Sequence, residues 1–151
     1  MNLREIFLRN VAQTSGAPLA LEIIKADGAL LYDVNGNEYI DLIGGISVAN
    51  VGHRHPKVIQ SIKDQLEAYL HVMVYGEFIE TPQVQFAKLL TDHLPSSLNS
   101  VYFTNSGAEA TEGAMKLAKR FTNRTEIIAF NSSYHGSTQG ALSVMGSEYW
   151  R

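Results

Sequence analysis

Hydrophobic residues recur every four positions at the start of the chain. Leu3, Phe7 and Val11 lie on one side of a helix at this spacing, which predicts a short amphipathic helix. The pairs Asp27-Gly28 and Asn35-Gly36 then mark two tight turns. They separate three short apolar runs, so the pattern predicts a small antiparallel meander over residues 21–26, 29–34 and 37–42.

After the meander, the apolar residues are spaced as on one face of a helix. Pro56 suits the first turn of a helix, and the apolar residues that follow it are spaced for one face: Val58, Ile59, Ile62, Leu66, Tyr69 and Leu70. Thr81-Pro82 predicts a second start, with a hydroxyl cap before a proline. Its apolar stripe runs up to Pro95 and comprises Val84, Ala87, Leu90 and Leu94.

Strand and helix patterns alternate in the C-terminal half. Apolar runs at 101–103 and 127–130 predict buried strands, and the segment 108–121 between them predicts a helix. A strand–helix–strand order indicates a parallel α/β sheet. The charged residues of this helix predict a solvated face made by Glu112, Lys116 and Lys119.

The predicted parallel sheet is small for a domain. Residues 137–145 predict the start of another helix, but only two parallel strands precede it. We therefore expect further strands beyond Arg151 and interpret the chain as part of a longer protein.

Composition narrows the classes of function. With 151 residues, 45% of them hydrophobic, the chain can bury the core of one globular domain. A formal charge of −3 and scattered basic residues favour small-molecule partners over nucleic acid or a membrane surface. The absence of cysteine excludes a thiol nucleophile. The N-terminus lacks a secretory signal, so we expect a cytoplasmic protein; the alternative is a mitochondrial presequence, of which Glu5 is atypical.

The turn after the first predicted strand is the strongest functional candidate. Thr104-Asn105-Ser106-Gly107 leads into a helix, whose first turn exposes unpaired N–H groups and the positive end of the helix dipole. Ser106 can add a hydroxyl donor, and Gly107 lets a phosphate approach the backbone. Ser106 and Glu109 also form a capping box, which explains both residues without a ligand. The spacing alone supports both interpretations equally.

Four segments together resemble the class III aminotransferases that depend on pyridoxal 5'-phosphate (PLP), the family of ornithine, acetylornithine and 4-aminobutyrate aminotransferases. They are residues 27–45, Gly52-His53-Arg54-His55-Pro56, residues 104–110 and Tyr134-His135-Gly136. The resemblance covers nearly the whole chain and implies an α/β fold of the aspartate aminotransferase-like type (fold type I). It implies that residues 1–52 belong to a small domain and residues 53–151 to an incomplete PLP-binding large domain.

The resemblance also implies a cofactor site. In such enzymes a Ser-Gly-Ala turn holds the phosphate of PLP, and the aromatic residue before His-Gly lies against the pyridine ring. The matching phosphate residues are Ser106, Gly107 and Ala108, and the matching ring-pocket residues are Tyr134, His135 and Gly136. The alternative for Tyr134 is an ordinary core or surface aromatic residue.

The catalytic groups that the resemblance implies have no match in this chain. PLP withdraws electrons from the substrate's amino carbon, but a Schiff-base lysine and an acid beside the pyridine nitrogen are also required. In the family both come from later parts of the large domain. None of the lysines here has the family's context: Lys25, Lys57, Lys63, Lys88, Lys116 and Lys119. We therefore assign catalysis to no residue and expect the 151-residue chain alone to be inactive.

The reaction and the assembly also follow from the resemblance. It implies transfer of an amino group, we expect an ω-amino group, from an amine or amino acid to a 2-oxo acid in a homodimer. Decarboxylation, aminomutation and racemisation stay open, because one fold hosts them all. A non-catalytic fragment that only dimerises is a further alternative.

Two histidines suggest a rival class. His53 and His55 form an H-x-H pair of the kind that metal-dependent hydrolases use to bind zinc. Pro56 begins a helix immediately afterwards and no further ligands are apparent. The interpretation we favour is a turn whose histidines hydrogen-bond to the backbone.

Overall fold

The computed structural model describes residues 2–73 and 76–149. The chain divides into two compact units, Met1–Tyr75 and Gly76–Arg151. The first contains α1 (Leu3–Asn10), β1 (Ile23–Asp27), β2 (Leu30–Asp33), β3 (Glu38–Ile40), the short irregular α2 (Gly44–Ser47) and α3 (Pro56–Ala68). The second contains α4 (Thr81–Asp92), α5 (Gly107–Thr122) and α6 (Gln139–Ser143). A domain boundary between residues 52 and 53 stays a prediction.

Helix α1 confirms the apolar repeat at the start of the chain. Asn2 is its N-cap, and its Oδ1 accepts a hydrogen bond from the N–H of Glu5 at 2.9 Å. The Glu5 carboxylate accepts one from the N–H of Asn2 at 3.2 Å. This reciprocal pair satisfies two amides that the helix itself leaves without acceptors.

The three strands form an antiparallel sheet in chain order, which confirms the predicted meander. Ala26 faces Leu31 across the first pair, and Leu30 faces Ile40 across the second. Gly28 has a φ of 55° in the first turn, a conformation that glycine adopts without steric cost. Its backbone also pairs with that of His53, so the Gly-His segment is attached to this turn.

Asp33 organises the second turn of the meander. It is 4% exposed, and its carboxylate accepts hydrogen bonds from the N–H groups of Asn35 and Asn37, the Asn37 side chain and the Tyr39 hydroxyl, all at 2.8–2.9 Å. These bonds, the one from the Asn37 side chain first, lower the pKa of Asp33 to about 2 although burial acts against them. The turn is therefore built around a buried, fully ionised carboxylate.

Helices α3 and α4 both begin near a proline, as predicted. α3 begins at Pro56 itself. For α4 the predicted hydroxyl cap is wrong, because Thr81 is the first helical residue and the N-cap is Glu80, which makes no side-chain capping bond. Pro82 has no N–H, so this first turn presents one donor fewer for a cap to satisfy. In the part of the chain that is described, no helix is both long and apolar enough to cross a membrane.

The two parallel strands predicted in the second unit are wrong for the described residues. The segments 101–103 and 127–130 join no sheet, although α5 between them extends one residue beyond its predicted range at each end. Ile128 is 100% exposed and Phe130 is 87% exposed. A strand needs a hydrogen-bonding neighbour, and among the described residues neither run pairs with another extended segment.

We predict that Asp33 makes the stability of the first unit depend on pH in acid. Its folded-state pKa of about 2 lies below the ordinary 3.8, so the stabilisation is fully present above pH 3.8 and is lost as the pH falls through about 2. Thermal unfolding gives the free energy of unfolding of the protein and of Asp33→Asn. The two free energies should differ by a constant amount down to about pH 4 and converge below it.

A graded variant and a titration check this assignment. Tyr39→Phe removes a single hydrogen bond to the Asp33 carboxylate, so it should destabilise the unit less than Asp33→Asn does. A carboxyl carbon signal of Asp33 that titrates at the ordinary pKa would contradict the prediction.

Candidate functional site

The N-terminus of α5 presents unpaired amides. Ser106 is the N-cap, and its Oγ accepts a hydrogen bond from the N–H of Glu109 at 3.1 Å. The helix begins at Gly107, and within the described part of the chain the N–H groups of Gly107 and Ala108 have no acceptor. Amides in this position, with the positive end of the helix dipole behind them, form an anion-binding arrangement.

The predicted capping box is half formed. The Ser106 bond is present, but the Glu109 carboxylate accepts from the N–H of Asn105 at 2.8 Å rather than from that of Ser106. The Ser106 hydroxyl acts in the cap only as an acceptor, so its O–H can still donate to an anion. Helix capping and ligand binding are therefore compatible roles for this residue.

A second segment completes a pocket around this turn. An open pocket of about 650 Å³ is lined by all six residues predicted for the cofactor: Ser106, Gly107, Ala108, Tyr134, His135 and Gly136. Three further lining residues were not predicted: Thr111, Ser137 and Thr138. Thr111 lies four positions after Gly107 and so on the same helix face, a spacing from which it could have been found.

The two segments touch at Gly136. This residue is buried and has a φ of 127°, and a Cβ atom built on it would lie 2.6 Å from the Cβ of Ala108. Only glycine fits there, because both the conformation and the close approach exclude a side chain. The Thr111 hydroxyl adds a hydrogen bond to the carbonyl oxygen of His135 at 3.3 Å.

Tyr134 offers an open aromatic face beside the turn. Its side chain is 70% exposed, so the alternative of a core aromatic residue is wrong. Its hydroxyl is 3.0 Å from the Oγ of Ser137, which restrains one end of the ring. A restrained ring with a free face can stack against a flat ligand.

The lining has the chemistry that a phosphate ester requires. It combines serine and threonine hydroxyls with free helix-end amides, and it contains no aspartate or glutamate that would repel an anion. A Cβ atom on Gly107 would meet nothing within 4 Å, so the protein's own packing does not demand glycine at this position. Open space in front of the Gly107 backbone is what a closely bound phosphate needs.

The H-x-H pair is placed differently from our favoured interpretation. We predicted histidines that hydrogen-bond to the backbone; the main chain of His53 pairs with Gly28, but its ring contacts a carboxylate, with Nε2 at 2.6 Å from Asp41 Oδ2. Hydrogen bonding from His53 is the main cause that lowers the pKa of Asp41. The Nδ1 atom of His55 is buried and has no hydrogen-bond partner among the residues that the structure describes. Residues 2–73 and 76–149 contain no group of three or more side chains suited to hold a metal ion.

Comparison with known proteins identifies the family. The chain belongs to the aminotransferase class-III family, whose sequence pattern matches residues 11–150. It is 46% identical over 124 residues to the acetylornithine aminotransferase of Methanopyrus kandleri and 43% identical over 127 residues to that of Halalkalibacterium halodurans. These alignments cover 81% and 83% of this chain, but 31% and 32% of the relatives. The chain thus spans about a third of the length of the curated relatives it matches.

Solved structures support the same fold. Adenosylmethionine-8-amino-7-oxononanoate aminotransferase from Methanocaldococcus jannaschii matches with a TM-score of 0.90 and 31% identity, over 97% of this chain and 36% of that protein. Taurine:2-oxoglutarate aminotransferase from Bifidobacterium kashiwanohense, solved with PLP and glutamate, matches with a TM-score of 0.82 and 31% identity, over 95% and 32%. The predicted α/β class and the fold type I transferase architecture are therefore confirmed.

We predict that Gly136→Ala separates the two segments of the pocket. The added methyl group meets Ala108 in a backbone conformation that alanine avoids, so unfolding of the second unit should become easier by about 1–3 kcal/mol. Thermal unfolding measures the change.

Gly107→Ala is the matched control for this prediction. Its new Cβ atom meets nothing within 4 Å, so stability should stay within about 0.5 kcal/mol of the unmodified protein. Equal destabilisation by the two substitutions would contradict the close contact at Gly136.

Proposed function

We propose that this protein binds PLP in the pocket at the N-terminus of α5. The Ser106 hydroxyl and the amides of Gly107 and Ala108 would hold the phosphate, and the face of Tyr134 would cover the pyridine ring. His135 and Gly136 would line the pocket through the loop backbone. The observation that carries this proposal is the convergence of all six predicted residues on one pocket with free helix-end amides.

The proposed reaction is transfer of an amino group to a 2-oxo acid. Bound PLP would supply an electron sink at the amino carbon of the substrate. The chain's own residues would hold and orient the cofactor, while the groups that move protons would lie elsewhere. Support for transamination comes from the relatives, which are named as acetylornithine aminotransferases, and from the taurine:2-oxoglutarate aminotransferase. Both names describe donors whose free amino group is on a carbon that bears no carboxylate or sulfonate. This favours an ω-amino donor for the present protein.

The positions of the lysines support the view that this chain supplies no catalytic group. None of them lines the pocket: Lys25 lies in β1, Lys57 and Lys63 in α3, Lys88 in α4, and Lys116 and Lys119 in α5. We infer that the 151-residue chain alone does not turn over substrate. Formation of amino acid product from an ω-amine and a 2-oxo acid by this chain with PLP would overturn that inference.

We further propose that the protein acts as a cytoplasmic homodimer. Apolar side chains are exposed in succession from the last residue of β3 onward, at Ile40, Leu42, Ile43, Ile46 and Val48, and a partner subunit could cover them. The absence of cysteine suits a reducing compartment. A solution mass equal to that of a single chain, measured at micromolar concentration, would contradict the dimer.

We predict that Ser106→Ala weakens PLP binding by about tenfold, because one hydrogen bond to a charged phosphate is lost. The affinity for inorganic phosphate should fall by a similar factor, whereas that for pyridoxal, which has no phosphate, should stay the same. Fluorescence titration measures PLP and pyridoxal, and calorimetry measures phosphate. A bulkier residue, as in Gly107→Val, should also weaken both phosphate-bearing ligands by filling the open space beside the amides.

Ser61→Ala is the control for Ser106→Ala. Ser61 lies on α3 and its hydroxyl hydrogen-bonds within that helix, so its removal should leave all three affinities unchanged. If PLP affinity is equal in the protein, in Ser106→Ala and in Gly107→Val, then Ser106 is a helix cap and the proposed phosphate site is wrong.

A further inference from the structure

Two contacts between α5 and residues 136–140, which lead into and begin α6, repeat at the same spacing. Ala108 meets Gly136, and four residues later on both segments Glu112 meets Gly140. Residues four apart lie on one face of a helix, so a single face of α5 makes both contacts. At the second contact the N–H of Gly140 donates a hydrogen bond to Glu112 Oε1 at 3.2 Å, and a Cβ atom on Gly140 would lie 2.9 Å from the Glu112 carboxyl carbon.

Glu112 is therefore not the solvated surface residue that its sequence neighbours predict. It is half-buried and forms no ion pair with Lys116 in the described part of the chain. Hydrogen bonding from the Thr138 hydroxyl, and then from the N–H groups of Gly140 and Ala141, lowers the pKa of its carboxyl group although burial acts against them. The carboxylate thus faces the first turn of α6.

The first turn of α6 receives no hydrogen bond from the side chain of its own N-cap residue. Thr138 is its N-cap but makes no side-chain capping bond to the helix, so the acceptor for this helix end comes from Glu112 on α5. The loop that carries Tyr134 is consequently held in its middle by Gly136 and at its end by Glu112. The ring of Tyr134 has no buried packing to fix it, because it is 70% exposed.

We propose that Glu112 is a positioning residue for the cofactor pocket: by capping α6 from α5, it holds the loop that places the Tyr134 ring over the first turn of α5. This inference rests on the proposed function. Glu112 does not line the pocket, so it acts through the loop and not on the ligand. Its loss should impair ring binding more than phosphate binding, because the phosphate-binding groups belong to the first turn of α5 itself.

Substitutions at Glu112 that change side-chain length and charge separately test the proposal. Glu112→Ala removes the cap, Glu112→Asp keeps the charge but shortens the side chain, and Glu112→Gln keeps an acceptor oxygen at the original length. We expect the first two to weaken PLP binding by about tenfold and the glutamine variant to stay within about threefold of the unmodified protein. Inorganic phosphate affinity should change by less than about twofold in all three. Glu67→Ala, an exposed helical glutamate of α3, is the matched control and should change neither affinity.

Hydrogen exchange at the Gly140 amide reports the cap independently of any ligand. It should quicken by about tenfold in the alanine and aspartate variants and recover in the glutamine variant. Unchanged PLP affinity in Glu112→Asp, or equal losses of PLP and phosphate affinity, would overturn the positioning role. If the alanine variant fails to fold, the aspartate and glutamine pair decides alone. An unmodified protein that binds neither probe would refute the proposed function and this inference together, whereas tight binding by every variant would refute this inference alone.

Discussion

The candidate site depends on the contact between Gly136 and Ala108. A loop backbone can lie against the first turn of a helix only if neither residue carries a bulky side chain, and here the smallest residue meets the next smallest. The contact brings an exposed aromatic ring beside unpaired helix-end amides. Each of these features is common in proteins by itself. Together in one pocket they suit a flat ring that bears a phosphate, because the aromatic face can stack on the ring and the amides can bind the phosphate.

The hydrogen bonds that cap α5 leave its N-terminus able to bind an anion. The Ser106 Oγ accepts the capping hydrogen bond and keeps its proton for a ligand, while Glu109 turns back to Asn105. The helix keeps its cap, and the N–H groups of Gly107 and Ala108 have no acceptor within the described residues. The capping box and the phosphate turn, which the sequence offers as alternatives, are therefore compatible roles for the same residues.

Ionised carboxylates with hydrogen-bond donors around them fix several turns of the chain. Asp33 holds the turn between β2 and β3, Asp41 pairs with His53, and Glu112 caps α6. In each case hydrogen bonds to the charged form lower the pKa although burial acts to raise it. Short-range polar contacts of this kind stabilise the loops where apolar packing is sparse.

The sequence by itself determined the local elements and the motif. Four-residue spacing, turn dipeptides and helix-starting prolines predicted α1, the meander, α3 and α4, because these features act over a few neighbouring residues. The six pocket residues followed from motif resemblance. Tertiary structure decided what depends on distant partners. Within residues 2–73 and 76–149 the runs at 101–103 and 127–130 pair with no strand, and the His53 ring contacts Asp41. Glu112 likewise met a helix end that lies 28 residues further along the chain, a distance over which periodicity carries no information.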